Sequence, residues 1–499
     1  MSWIVLIPIW QYPDEQSHFA QVQDVAEFGS VIPKGANTSA EIVFSENILD
    51  TQRDGFGNNK FTYHPEHKIA YSNGKLGPHE EEIINLPQEA RTKMLSYEAT
   101  RNPPVYYFLA SKAYKMFYKG SLFTRVFTIR VLSISLFLLN VVLAYKIAKL
   151  LFEKNQHLSI GLTAFIAFFP MLVFASTGVL PDTLTNALFS LIVFLSLKLI
   201  SNGPNPFNVM AALITVLLGF LTRQQFILAI PIYFFAITIY LIRTKSYRKL
   251  LATISIIPAV LLFFKLFPHF LHLPEIGLPN LSLLVSTRFL INLTWTMRHT
   301  YYEILPWYWG VYKWLSLTLP HPVYQIINRL IILSLFGLVI RFVKIIKSKK
   351  ILLLDTILIF FIGVSMIYFL IFAIGDFYFQ NQYGYSFGVQ GRYFFPLVII
   401  HMTILLIGFW QLYETFLTRY AKYVLLLTIF LMIVFNDVSL SFVSASYYNT
   451  SELKVFVNQA SQYKPLVLKG NIILLILLAS LFSQALFIFS YIRNIIRSS

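Results

Sequence analysis

The sequence predicts an all-α, polytopic integral membrane protein, and three observations carry that reading. Apolar side chains make up 56% of the 499 residues and charged ones only 13%, against about 25% charged in an ordinary soluble domain. Apolar runs close to about 20 residues, the length that crosses a bilayer as a helix, recur through most of the chain. Mean hydropathy is +0.63. The chain has no cysteine, which excludes a disulfide scaffold, a zinc–thiolate site and a cysteine nucleophile. The net charge of +17 is accounted for below by membrane topology, so no nucleic-acid partner is expected.

Residues 1–10 are apolar but too short to span, and read as the far end of a first transmembrane helix whose beginning is absent from this chain. Residues 11–124 form a large extracytoplasmic loop, within which 104–118 is amphipathic and aromatic enough to lie at the membrane interface. Spans then fall near 125–151, 157–177, 182–200, 208–222, 226–242 and 250–267. After an outer loop at 268–324 they resume near 325–343, 352–374, 393–413, 423–443 and 471–491, with outer loops at 375–392 and 444–470. That makes a bundle of about 12 transmembrane helices.

Orientation follows from the short loops. Lys149, Lys154, Arg243, Lys245, Arg248 and Lys249 fall on one side, with Lys344, Lys347, Lys349, Lys350, Arg419, Lys422, Arg493 and Arg497. The positive-inside rule makes that side cytoplasmic. Residues 11–103 hold 14 of the 23 acids against 8 basic residues, so the positive charge resides in the rest of the chain.

Residues able to do chemistry collect on the opposite face. P-D-E-Q-S-H at 13–18 places Asp14 and Glu15 where the first helix emerges, with His18 four residues on from Asp14 and on one face of any helix starting here. The same residues also read as a plain helix start, Pro13 first and carboxylates in the first turn. N-P-P-V-Y-Y at 102–107, containing Asn102 and Tyr106, marks the return to the membrane; Asp182 in P-D-T-L-T-N opens a helix. Arg223 and Arg392 are outer-face arginines, which oppose the topological rule and so call for a reason. Arg392 and Gln390 lie in G-V-Q-G-R-Y-F-F-P, where Gly388 and Gly391 allow close backbone approach. An arginine fork suits phosphate, while a snorkelling structural arginine is the plainer alternative. Arg298-His299 is a weaker candidate of the same kind.

His64 with His67, and His269 with His272, have i, i+3 spacing, but no three or four ligands converge; a divalent metal stays open. Sequons stand at Asn37, Asn280, Asn292 and Asn449, and Asp437 lies inside an apolar helix, expected to face the bundle interior.

The order of these motifs resembles the GT-C superfamily of polytopic glycosyltransferases: P-D-E-x-x-H, then N-P-P-x-Y-Y, P-D-x-L-x-N and Q-G-R-Y-x-F-P. The nearest resemblance is to a large bacterial group related to the protein mannosyltransferases and lipid A aminoarabinose transferases, and it spans essentially the whole chain. Relatives usually carry histidine at Asn102 and lysine at Arg223. The resemblance implies a GT-C-like bundle in the cell membrane, with its active site on the extracytoplasmic side. It implies a polyprenyl-phosphate-linked sugar as donor and a glycan, lipid or protein hydroxyl as acceptor. Asp14 would be the base, with Glu15 and His18 positioning it. Arg392 and Arg223 would hold the leaving phosphate, and Asn102, Tyr106 and Asp182 would line the sugar pocket. A polysaccharide polymerase or ligase, and a transporter or flippase of a lipid-linked glycan, are the competing readings.

Overall fold

The computed structural model describes residues 1–29, 37–55, 57–96, 102–244, 285–386, 388–448 and 450–498. The expected span at 250–267, the basic residues Lys245, Arg248 and Lys249, the pair His269 and His272, and the sequons at Asn280 and Asn449 lie outside the described residues. Among the described residues regular structure is almost wholly helical. Two short antiparallel strand pairs, Asn37–Ser39 with Met94–Ser96 and Val311–Tyr312 with Leu317–Thr318, complete it.

Among the described residues, seven helices are long and apolar enough to cross a membrane: Leu122–Leu151, Asp182–Asn202, Gln224–Thr244, Leu353–Tyr383, Gly391–Phe416, Thr418–Tyr448 and Ile472–Arg497. The helix His321–Ser348, 28 residues long, coincides with the span expected at 325–343. Two expected spans are shorter: Gln156–Ala167 has 12 residues and Pro206–Phe220 has 15. The run 157–177 is not one helix. It stops after Ala167 and restarts as Pro170–Ala175, because Pro170 has no N–H to continue the ladder and its ring suits a first helical position. The 104–118 window forms the helix Val105–Met116.

Residues 1–10 pack into the core. Ser2–Leu6 is a single buried turn, Trp3 stacks on Tyr312 with ring centroids 5.7 Å apart, and the Tyr12 hydroxyl donates to the Trp3 carbonyl at 3.3 Å.

Helices His321–Ser348 and Val398–Phe416 meet backbone to backbone. A Cβ on Gly337 would overlap the Gly408 carbonyl, and one on Gly408 would overlap Ser334; the Ser334 hydroxyl donates to the Leu405 carbonyl at 2.9 Å. Small residues allow the close approach that holds helices together where lipid removes the hydrophobic drive.

The helix ends sort by charge. Arg243 Nη1 donates to the Ile200 carbonyl at 2.9 Å and Lys344 Nζ to the Thr415 hydroxyl at 3.2 Å. Arg341 pairs with Asp355 at 2.5 Å. These contacts gather basic helix ends at one end of the bundle. The opposite end carries the first loop, tied down by Lys469 to Glu80 at 2.5 Å, where the last helix begins, and by Lys313 Nζ to the Pro65 and Ser446 carbonyls at 2.7 and 3.4 Å. Glu15–Phe28 packs against Val105–Met116 within this layer.

Candidate active site

Asp14 closes the N-terminus of the helix Glu15–Phe28 in a left-handed conformation, φ 56°, which Asp tolerates better than most side chains. That turn sends the two adjacent carboxylates to opposite environments. Asp14 faces a cleft. Its Oδ2 meets Arg392 Nη2 at 3.0 Å and its Oδ1 meets Arg53 Nη1 at 3.2 Å. Burial raises the Asp14 carboxyl, but the guanidiniums of Arg392 and Arg53 outweigh it and hold the group well below the usual carboxylate range.

Arg392 stands on the short 3₁₀ turn Gly391–Leu397 that leads into Val398–Phe416. Gly391 is required there, since a Cβ would run into the backbone of Tyr308. The Arg392 Nε donates to Gln390 Oε1 at 2.8 Å, its Nη2 goes to Asp14, and its plane lies over Tyr393 at 5.6 Å. Its Nη1 meets no acceptor among the described residues.

Arg53 comes from the first loop, within R-D-G-F-G-N-N at 53–59. Its Nε donates to the Gly57 carbonyl at 3.2 Å and its Nη1 to the Ser17 hydroxyl at 2.8 Å. Gly57 has φ +82°, a conformation that a side chain would strain. The guanidinium lies 5.7 Å from the ring of Trp314, and the Trp314 indole donates to the Trp10 carbonyl at 2.9 Å. Lys313, Trp314 and Leu315 form the tip of the Val311–Thr318 hairpin, all three left-handed at φ 50°, 55° and 63°. Each such residue costs about 1–3 kcal/mol unless its surroundings enforce it. Here the Lys313 and Trp314 bonds to three other segments do so.

The cleft among these residues has a volume of about 210 Å³ and includes Asp14, Arg53, Lys313, Trp314, Gln390 and Arg392 in its wall. Three cations face one carboxylate. Burial lowers the Lys313 ammonium to about 8, so it is mostly charged at neutral pH and the wall carries a net positive charge.

Glu15, expected beside Asp14 in catalysis, points the other way. It is 0% exposed and chelated by Arg130 from the spanning helix, with Nε to Oε1 at 2.8 Å and Nη2 to Oε2 at 2.6 Å. The Trp10 and Val179 amides also donate to it at 3.0 and 3.2 Å, and Arg130 caps the Ile7 and Pro8 carbonyls at 2.9 and 2.8 Å. Every lone pair is engaged, so this carboxylate stitches the first residues to the bundle and has none left for a substrate.

His18 lies behind Asp14, 3% exposed, with Nδ1 at 2.8 Å from the Tyr107 hydroxyl. Burial pushes its imidazole down to about 4, against the pull of Asp14, which leaves it neutral at ordinary pH. Asp182, at the start of Asp182–Asn202, forms an ion pair with Arg223 from the turn before Gln224–Leu228. The pair is near enough for both members to act on His18, and for Asp182 to act on Arg392. Asn102 exchanges two backbone bonds with the Gln21 side chain at 2.7 and 3.1 Å, placing it against the same helix. Tyr106 is 0% exposed and packs edge-on against Tyr107 at 5.4 Å; it belongs to the core beneath the site, not to the cleft wall. Asp14, Gln390 and Arg392 therefore meet directly, with His18, Asp182 and Arg223 adjacent.

Other expected residues stand apart. Arg298 lies over Tyr302 at 5.9 Å and His299 pairs with Glu303 at 3.4 Å, away from the cleft. His64 bonds Glu66 at 2.9 Å while His67 turns toward Asp50 at 3.9 Å. Among the described residues no three His, Asp or Glu side chains gather as a metal site. The sequon residue Asn292 is spent in packing, donating to Gln380 at 2.7 Å.

Fold and site define a polytopic helical membrane protein with a cationic cleft at the end of its bundle, built around one carboxylate. The chain belongs to the family described as predicted membrane protein (DUF2142), whose model matches residues 1–401. No curated protein matches the sequence. Among solved structures, ArnT from Cupriavidus metallidurans in the apo state is similar over 92% of this chain and 74% of that one, at 12% identity and a TM-score of 0.39.

Proposed function

We propose that the protein is a glycosyltransferase of GT-C type. In this reading it moves a sugar from a polyprenyl-phosphate-linked donor to an acceptor hydroxyl at the extracytoplasmic face. The observation that carries the reading is Arg392: one edge of its guanidinium holds Asp14 while Nη1 meets no acceptor among the described residues, in a wall of net positive charge. One arginine can then grip a carboxylate and a phosphate together, since its fork offers five donors. The cleft, about 210 Å³, is smaller than the roughly 300–1,000 Å³ of drug-sized pockets. It suits a sugar-phosphate head with the polyprenyl chain left in lipid.

In the reaction the acceptor hydroxyl attacks the anomeric carbon and passes its proton to Asp14. The carbon–oxygen bond to phosphate breaks with its electron pair going to the phosphate oxygen, where Arg392 and Arg53 stabilise the charge, and polyprenyl phosphate leaves. The displacement inverts the anomeric centre. Asp14 is a weak base while two guanidiniums hold it. A phosphate that draws on the same donors restores part of its basicity, so donor binding itself primes the base. The Asp182–Arg223 pair and His18 border the sugar.

The arginines can be tested by donor binding in nanodiscs. Arg392→Ala is expected to weaken binding of a polyprenyl-phosphate sugar about tenfold or more, and Arg392→Lys to recover only part, because an ammonium lacks the fork. Arg53→Ala is expected to weaken it as well. Unchanged donor affinity in both alanine variants contradicts the phosphate site.

A further inference from the structure

We propose a second anion site, at the basic end of the bundle, which takes the phosphate head group of an anionic phospholipid. The last helix begins beside the first loop, where Lys469 meets Glu80, and runs from Ile472 to Ser498. Its 27 residues at about 1.5 Å each carry its C-terminal end to the far side of a bilayer from the catalytic cleft. There a cavity of about 410 Å³ opens between this helix and Gln156–Ala167, lined by Gln156, Ser490, Tyr491, Arg493, Asn494 and Arg497.

Three features of this cavity point to a ligand. Arg493 and Arg497 stand one helical turn apart on the same face, and among the described residues neither has a carboxylate within ion-pair distance. The Tyr491 side chain is 3% exposed and its hydroxyl has no hydrogen-bond partner among the described residues. Its ring packs edge-on against His157 at 5.6 Å, and the residue lines the cavity. A buried hydroxyl without a partner costs about 1–3 kcal/mol, and an acceptor oxygen entering the cavity removes that cost. Among the described residues the wall is rich in donors, from two guanidiniums, a phenol, a serine and two amides, with Ile160 and Phe487 as its apolar members. Donors without counter-charge, beside a lipid-facing helix, fit a phosphodiester head group whose acyl chains lie along that helix. The helix presents a long exposed apolar face for them, through Leu478, Leu481, Phe482, Leu486 and Phe489.

The test uses the whole protein in nanodiscs of phosphatidylcholine with or without phosphatidylglycerol, and native mass spectrometry to count retained lipids. The wild type is expected to retain phosphatidylglycerol in preference to phosphatidylcholine. Arg493→Ala with Arg497→Ala is expected to lower that retention about tenfold or more, and Tyr491→Phe to lower it by less. Tyr491→Phe removes one oxygen that already lacks a partner, so it should fold as well as the wild type and keeps the test clear of misfolding. A second arm adds millimolar inorganic phosphate. Retention that survives phosphate supports the lipid head group, whereas displacement by phosphate assigns the site to a soluble phosphate compound and overturns the lipid proposal. Equal retention of the two lipids by the wild type, or retention unchanged in all variants, also overturns it.

Discussion

Asp14→Asn is expected to lower glycosyl transfer by about 10²–10⁴-fold, the usual cost of losing a general base, while the protein still inserts and binds donor. The amide keeps the shape of the side chain but neither accepts the hydroxyl proton nor carries the charge that now occupies Arg392 and Arg53. Donor affinity should therefore hold or rise, because the variant removes a competitor for the phosphate. That split, rate lost with binding kept, separates a base from a residue that merely shapes the cleft. Residual transfer within about threefold of wild type is too much for a base and would leave Asp14 as a helix cap.

The neighbouring carboxylate should behave in the opposite way. Glu15→Gln leaves Arg130 buried without its counter-ion, and breaking one side of a buried pair costs about 3–5 kcal/mol. The expected result is low yield and a strongly reduced melting temperature in detergent, with any surviving protein still able to bind donor. Replacing both partners, Glu15→Gln with Arg130→Met, should recover much of that loss, since apolar replacement of an entire buried pair is often close to neutral. A Glu15→Gln protein that melts like wild type and has lost turnover would instead make Glu15 part of the chemistry, as its position beside Asp14 suggests from sequence.

These two residues show how much the sequence discloses and where it stops. Hydropathy marked most of the spans because length and composition alone decide what can cross a bilayer. Motifs at helix mouths single out Asp14 and Arg392, which the fold brings together across 378 residues, because an arginine expected outside opposes the topological rule and calls for a reason. Periodicity could not tell that a left-handed Asp14 would turn Glu15 inward, since a helix start and a catalytic pair share one spelling. Tyr106, expected at the sugar pocket, lies in a buried cluster instead, because an interfacial tyrosine and a core tyrosine look alike in sequence. No motif in the sequence singles out Arg53. It is one of 8 basic residues in a long acidic loop, and only the glycine-rich stretch after it hinted at a backbone built to aim a side chain. The strained hairpin at Lys313–Leu315 carries no glycine at all, so nothing local announces it.

Turnover of a defined donor tests the proposed reaction most directly. Purified protein in proteoliposomes would be given a panel of polyprenyl-phosphate sugars with a cell-envelope acceptor fraction, and the released polyprenyl phosphate measured. Release by the wild type with at least one sugar, acceptor-dependent and lost in Asp14→Asn and Arg392→Ala, is the expected result. Donor that stays intact across the panel while labelled sugar-lipid crosses to the other leaflet would make the protein a flippase and contradict the transferase assignment.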